Sequence, residues 1–148
     1  MALLTSSYFV SKLIQKPVHW GLPTSISLEP TTSCNLRCPE CPSGLRSFTR
    51  STGMLTDETY KKVIDELAPT LSYLLFYFQG EPYLNPKFLD QIRHAASQNI
   101  YTATSTNAHY LTDAMAEETV RSGLDRLIIS IDGTTQETFA QYRVGGSL

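Results

Sequence analysis

The feature that most constrains the fold is "LSYLLFYF", residues 71–78, a near-continuous apolar and aromatic run that gives way at Gly80. A strand covered on both faces reads this way, and such strands belong to parallel sheets with helices packed against them. The run has counterparts. "TSISLEP" (24–30) alternates through Ile26 and Leu28, stops at Pro30 and releases into a polar Thr-Thr-Ser loop; "IYTATST" (100–106) and "RLIISID" (126–132) read as a third and a fourth strand.

Helical patterns fill the gaps. Thr56 is placed to cap a helix with Asp57 and Glu58 in its first turn, Tyr60, Val63, Ile64 and Leu67 on one face, and Pro69 at its end. Asn85 and Pro86 read as N-cap and first residue of a second helix that buries Phe88, Leu89, Ile92 and Ala96. Thr112 starts a third, with Met115 and Val120 facing inward and Gly123 ending it. Beyond Gly133, Thr134 and Glu137 have the spacing of a capping box, opening a fourth helix that buries Phe139 and Tyr142.

Strands alternating with helices define an α/β protein with a parallel sheet, here a partial parallel (β/α) barrel of about four βα units. An eight-fold barrel takes roughly 200 residues or more. The expected organisation is an N-terminal extension over 1–24, helical and offering Tyr8, Phe9, Leu13 and Ile14 for packing, then a core over 25–148 truncated on its C-terminal side. A sheet that stops after four strands is expected to leave an open edge, and so to be poorly behaved alone.

All three cysteines, Cys34, Cys38 and Cys41, fall within eight residues directly after the first strand. An odd number makes a poor disulfide framework, and a chain that is 41% apolar can bury a core without staples. Ser6, Ser7, Ser11 and Lys12 interrupt any secretory apolar segment, so the expected location is cytoplasmic with reduced thiols. No stretch approaches the roughly 20 apolar residues of a membrane helix. A net charge of -2 makes no case for nucleic acid or an anionic membrane.

Clustered thiolates suit a metal. Structural zinc wants four ligands, and His19, His94 and His109 are scattered. Iron-sulfur clusters are also usually held by four cysteines; three would leave one iron free for a substrate or cofactor. In barrels the reactive groups stand where strands end. The second strand ends in "QGEP": Gly80 permits close backbone approach, Pro82 stiffens the turn, and exposed carbonyls or Glu81 can accept from an ammonium, though an ordinary turn would look the same. The third ends in "STNAHYL", where Asn107 suits a ribose or carboxylate, or an Asx-turn. The fourth ends in "SIDG", with Ser130, with Asp132 placed to fix the turn, and with a downstream Arg143 that either pairs with a carboxylate or, as slightly favoured, lies on a solvated helix face.

The spacing Cys34-x3-Cys38-x2-Cys41 resembles the cluster loop of the radical S-adenosylmethionine (radical SAM) superfamily. "QGEP" is similar to that family's Gly-Gly-Glu-Pro, with Gln79 in place of the first glycine. "TNAHYL" is similar to its Thr-Asn-Gly-x-x-Leu, with Ala108 for glycine, and "SIDG" to its Ser-Leu-Asp-Gly. Glu40 stands where an aromatic residue is frequent. The similarity runs from Ser25 to Leu148, and "CPECPSG" with the Arg-Val-Gly-Gly-Ser end looks most like members with a C-terminal auxiliary-cluster (SPASM) domain. The resemblance implies a TIM-barrel-like radical SAM core, a 4Fe-4S cluster on Cys34, Cys38 and Cys41, and SAM held by the open iron and by Gly80, Glu81, Pro82, Asn107, Ser130 and Arg143. It also implies reductive cleavage of SAM to a 5'-deoxyadenosyl radical that takes hydrogen from a peptide, protein or small molecule, with an electron donor such as a flavodoxin or ferredoxin. Cleavage needs no general base, so no catalytic residue is nominated. Two other classes remain open at this point: a zinc-binding interaction module and a catalytically inactive fragment.

Overall fold

The computed structural model describes residues 2–148; Met1, the first residue of the expected extension, lies outside the described residues. Strands β1 (Ser25–Ser27), β2 (Tyr73–Leu75), β3 (Tyr101–Thr106) and β4 (Arg126–Ile129) form one parallel sheet in the order β1-β2-β3-β4. Ile26 pairs with Leu74, Leu74 with Thr102, and Ala103 with Arg126. Because spatial order equals chain order, every connection must cross back along the sheet, and helices make the crossings. They are α3 (Asp57–Leu67), α4 (Phe88–Ser97) and α5 (Asp113–Arg121), with α6 (Gln136–Tyr142) after β4. Two further helices precede β2: α1 (Ala2–Ile14) at the N-terminus and the one-turn α2 (Pro42–Leu45) after Cys41.

The core forms where α3 and α4 meet the sheet. Tyr60 and Ile64 of α3 are fully buried against Leu74, Phe76, Phe88 and Ile92. Full burial stabilises by about 1.5–3 kcal/mol per large apolar side chain. The Tyr60 hydroxyl reaches through this layer to donate to the Gln91 carbonyl at 2.6 Å, tying α3 to α4, and burial pushes its pKa far up. Thr56 caps α3 as expected: its side chain accepts from Thr59 N–H.

Several details correct the sequence expectations. The 71–78 run is not buried throughout: only Tyr73–Leu75 is strand, Leu71, Leu74 and Phe76 enter the core, and Phe78 is 75% exposed at the mouth of the sheet. The second helix begins at Phe88, because Pro82–Leu84 forms a separate 3-10 turn. Asn85 is buried beneath that turn, donating to the Pro30 and Leu55 carbonyls while its Oδ1 accepts from Lys87 N–H, and Ala95, not Ala96, is the fully buried alanine of α4. On α5 the inward residue is Thr119, whose hydroxyl meets that of Tyr83 at 2.8 Å; Val120 points to solvent, and Met115 is half-buried. The last capping box is Thr135 with Thr138, one residue later than expected, and of the two aromatics only Phe139 is buried.

Helix α1 leaves Tyr8, Phe9, Leu13 and Ile14 exposed. Among the described residues no helix is long and apolar enough to cross a membrane.

Candidate functional site

The cysteines sit on the loop after β1. Its base is fixed by a bridge between Thr31 and Met54 and by the Thr31 and Gly53 contacts around it: the Thr31 hydroxyl donates to the Gly53 carbonyl at 3.0 Å, and Gly53 N–H donates to Thr32 Oγ1 at 3.0 Å. Leu36 anchors the loop from inside, fully buried. Immediately after Cys41, Pro42 starts α2, and Gly44 packs on the cysteine loop so closely that a Cβ would lie 2.3 Å from the Cys38 carbonyl oxygen. No other residue type fits there without moving backbone. Arg46, in the left-handed region at φ 56°, donates to the Cys34 carbonyl at 2.6 Å.

The second strand end closes over this loop. Gly80 has φ 79°, and a Cβ there would meet Thr31 O at 2.2 Å. Gly80 N–H donates to Ser43 Oγ at 2.9 Å, and Glu81 N–H to the Ser33 carbonyl at 2.8 Å. The Glu81 side chain is 1% exposed. Its Oε1 accepts from the Thr106 hydroxyl at 2.7 Å and from Tyr83 N–H at 3.3 Å; its Oε2 accepts from Asn107 N–H at 2.9 Å. Burial pushes its pKa up, opposed by these hydrogen bonds. The carboxylate thus joins the second and third strand ends, and both its oxygens are engaged within the protein. Pro82 is buried, opens the 3-10 turn and is not part of the cleft wall.

Asn107 forms the Asx-turn its position allowed, and its amide faces the cysteine loop. Its Oδ1 accepts from His109 N–H at 3.1 Å, an Asx-turn, while its Nδ2 donates to Asn35 Oδ1 at 2.8 Å and lies 3.9 Å from Cys34 Sγ. Ser130 N–H donates to the Thr106 carbonyl at 2.9 Å, and the Ser130 hydroxyl is 3.2 Å from that of Ser105. Arg143 does not lie on a solvated face. Its side chain is 19% exposed, paired with Asp132, with Nη1 3.9 Å from Cys38 Sγ.

These strand ends enclose a cleft of about 220 Å³. Cys34, Cys38 and Cys41 line it together with Gly80, Glu81 and Asn107; Ser130 and Arg143 complete it on the side of the fourth strand. Ser43, Ser105 and Tyr142 are among the lining residues that sequence reasoning did not single out for the site. Only their neighbours at motif positions could have pointed to them.

All three thiols are free. Burial pushes the Cys34 thiol pKa up, against a hydrogen bond from Leu36 N–H, and the nearby charges of Glu81, Cys38 and Cys41 push it further. Each sulfur has its own partner: Leu36 N–H for Cys34, Arg143 for Cys38, and Gln79 Oε1 at 3.4 Å for Cys41. Among the described residues no three His, Cys, Asp or Glu side chains converge as a metal-ligand set as they stand. The donor chemistry nevertheless fits a thiolate-bound cluster, because three soft ligands share one cleft. Two histidines are engaged elsewhere: His94 bonds Asp65 at 2.7 Å across α3 and α4, and His109 Nε2 accepts from Ser147 N–H at 2.8 Å.

A parallel βα sheet whose carboxyl ends carry three free thiols around a cleft defines a barrel-type protein with a thiol site at its mouth. The radical SAM superfamily model matches residues 28–147, and the chain belongs to that superfamily. It is 32% identical over 121 residues to the AdoMet-dependent heme synthase of Methanosarcina barkeri (strain Fusaro / DSM 804), covering 82% of this chain and 34% of that protein. Over 127 residues it is 32% identical to the PqqA peptide cyclase of Bradyrhizobium diazoefficiens, covering 84% of this chain and 33% of the relative. In three dimensions it superimposes on Streptococcus suis SuiB bound to precursor peptide SuiA with a TM-score of 0.70, at 14% identity, over 93% of this chain and 30% of that one. The latter likeness is one of fold. The chain spans about a third of the length of the curated relatives it matches.

Proposed function

We propose that this chain is the cofactor-binding part of a cytoplasmic radical SAM enzyme, with Cys34, Cys38 and Cys41 holding a 4Fe-4S cluster and the adjoining cleft holding SAM. The observation that carries this reading is the convergence of three thiols and three strand ends on one cleft, in a chain of that superfamily. Held by Cys34, Cys38 and Cys41, the cluster would supply the electron for reductive cleavage of the S–C5' bond of SAM, to methionine and a 5'-deoxyadenosyl radical that would take hydrogen from a substrate.

The chain's own residues bind and orient. Gly80 and Gly44, where a Cβ would collide with backbone, let the second strand end and α2 close on the cysteine loop. Glu81 acts as a positioning residue: by accepting from Thr106 and Asn107 it keeps the Asn107 amide directed at the Cys34 segment. Asn107 and Ser130 offer neutral hydrogen-bonding groups suited to a ribose or carboxylate. Arg143, beside Cys38, offers a guanidinium on the cleft wall, suited to a carboxylate when it exchanges its Asp132 partner.

For the substrate we favour a peptide, with protein or small-molecule substrates as the alternatives. The peptide cyclase among the similar proteins supports that preference. An electron donor of the flavodoxin or ferredoxin kind, a core beginning near residue 25, and further chain carrying substrate contacts and an auxiliary-cluster domain complete the proposal.

Anaerobic reconstitution with iron and sulfide tests it. The protein is expected to take up four iron and four sulfide, and Cys34→Ala, Cys38→Ala and Cys41→Ala each to lose the cluster. Full iron and sulfide in any one variant would contradict the ligand assignment.

A further inference from the structure

Gln79 replaces the first glycine of the Gly-Gly-Glu-Pro motif that "QGEP" resembles, and its side chain is wired to the cysteine loop. Its backbone N–H donates to Glu29 Oε1 at 3.2 Å, and its Oε1 accepts from the Cys41 thiol and the Ser43 hydroxyl, both at 3.4 Å. Ser43, 1% exposed, also accepts from Gly80 N–H at 2.9 Å and lies 3.2 Å from the Thr32 carbonyl. A hydroxyl has one proton. Ser43 therefore donates either to Gln79 or to Thr32, not to both at full strength.

Iron binding changes this inventory. An iron-bound cysteine has released its proton to solvent and can only accept hydrogen bonds, so Gln79 Oε1 would then face a thiolate with no hydrogen between them. Turning the terminal amide by about half a revolution presents Nε2 instead, at no cost in shape. The count then closes. The two Nε2 protons go to Cys41 Sγ and Ser43 Oγ, and the Ser43 proton is freed for the Thr32 carbonyl.

We propose that Gln79 is a positioning residue for the third cysteine, whose side-chain amide reverses between the metal-free and the iron-bound states and then donates a hydrogen bond to the Cys41 sulfur. This rests on the cluster assignment above. Hydrogen bonds to ligating sulfurs favour the more negatively charged, reduced form and so raise the reduction potential.

The test is a potentiometric titration of the reconstituted protein beside Gln79→Leu and Gln79→Glu. The potential is expected to fall in Gln79→Leu, which removes the donor, and to fall further in Gln79→Glu, which keeps the shape but adds charge. Equal potentials in all three proteins would overturn the inference while leaving the cluster assignment intact. A parent protein that takes up no iron would instead remove the assignment on which it rests. A second readout covers variants that fold or load poorly: with glutamine labelled by nitrogen-15 at the side-chain amide, pulsed electron paramagnetic resonance of the reduced parent protein should show coupling to a labelled nitrogen. No such coupling in the loaded parent protein would equally overturn the proposal.

Discussion

The second and third strand ends differ sharply from the fourth. At the former, a carboxylate that is 1% exposed accepts three hydrogen bonds from three separate positions, so the two loops are held as one body. At the latter, Ser130 is held by one backbone bond and one hydroxyl contact, and its neighbours Ile129 and Ile131 are 48% and 61% exposed at the sheet edge. Groups fixed by buried hydrogen bonds are preorganised, whereas groups on weakly packed edges open at low cost. The side of the cleft facing Cys34 and Cys41 is therefore built in advance, and the side contributed by β4 is only lightly held.

Substitutions at the two regions should expose this contrast. The largest effect is expected at Gly80→Ala, where an added Cβ meets Thr31 O at 2.2 Å and the backbone is left-handed; a loss of about 3 kcal/mol in a urea titration is expected. A neutral result would mean that the two loops are not in contact. Next comes Glu81→Gln, which places an amide donor among N–H and O–H donors and should cost about 2 kcal/mol. That cost should depend on pH. Burial raises the folded-state pKa of Glu81 above its ordinary value of 4.5, so the folded protein binds this proton more tightly than the unfolded chain. The stability this group contributes is thus fullest below 4.5 and declines as pH rises through the raised folded value, so the difference between parent and variant should shrink in the same direction. A difference growing with pH would reverse the sign. The smallest effect is expected at Ser130→Ala, within about 0.5 kcal/mol. Should it match Glu81→Gln, the contrast between centre and edge would be gone.

Much of this was legible in the sequence where the governing interactions are local. Thr56 and Thr112 announced α3 and α5 because a cap bonds the backbone three residues on, to Thr59 and Met115. The three cysteines stood out by spacing alone. What escaped depends on partners distant in the chain. Glu81 is committed to Thr106 and Asn107, and Gln79 to Cys41, contacts that no window of sequence contains. Polarity also misled: Thr119 outranks Val120 for the interior because its hydroxyl finds both Met115 O and the Tyr83 hydroxyl. Asn85, expected as a helix cap, was drawn into the interior by the Pro30 and Leu55 carbonyls.

The central claim is that three thiols leave a site on the metal open to SAM beside a prebuilt cleft wall. The most direct test is electron paramagnetic resonance of the reduced, reconstituted protein with and without SAM. Binding at the cluster should change the spectrum, and Gly80→Ala, by displacing the wall, should weaken that response. A spectrum unchanged at saturating SAM in the parent protein would contradict the account.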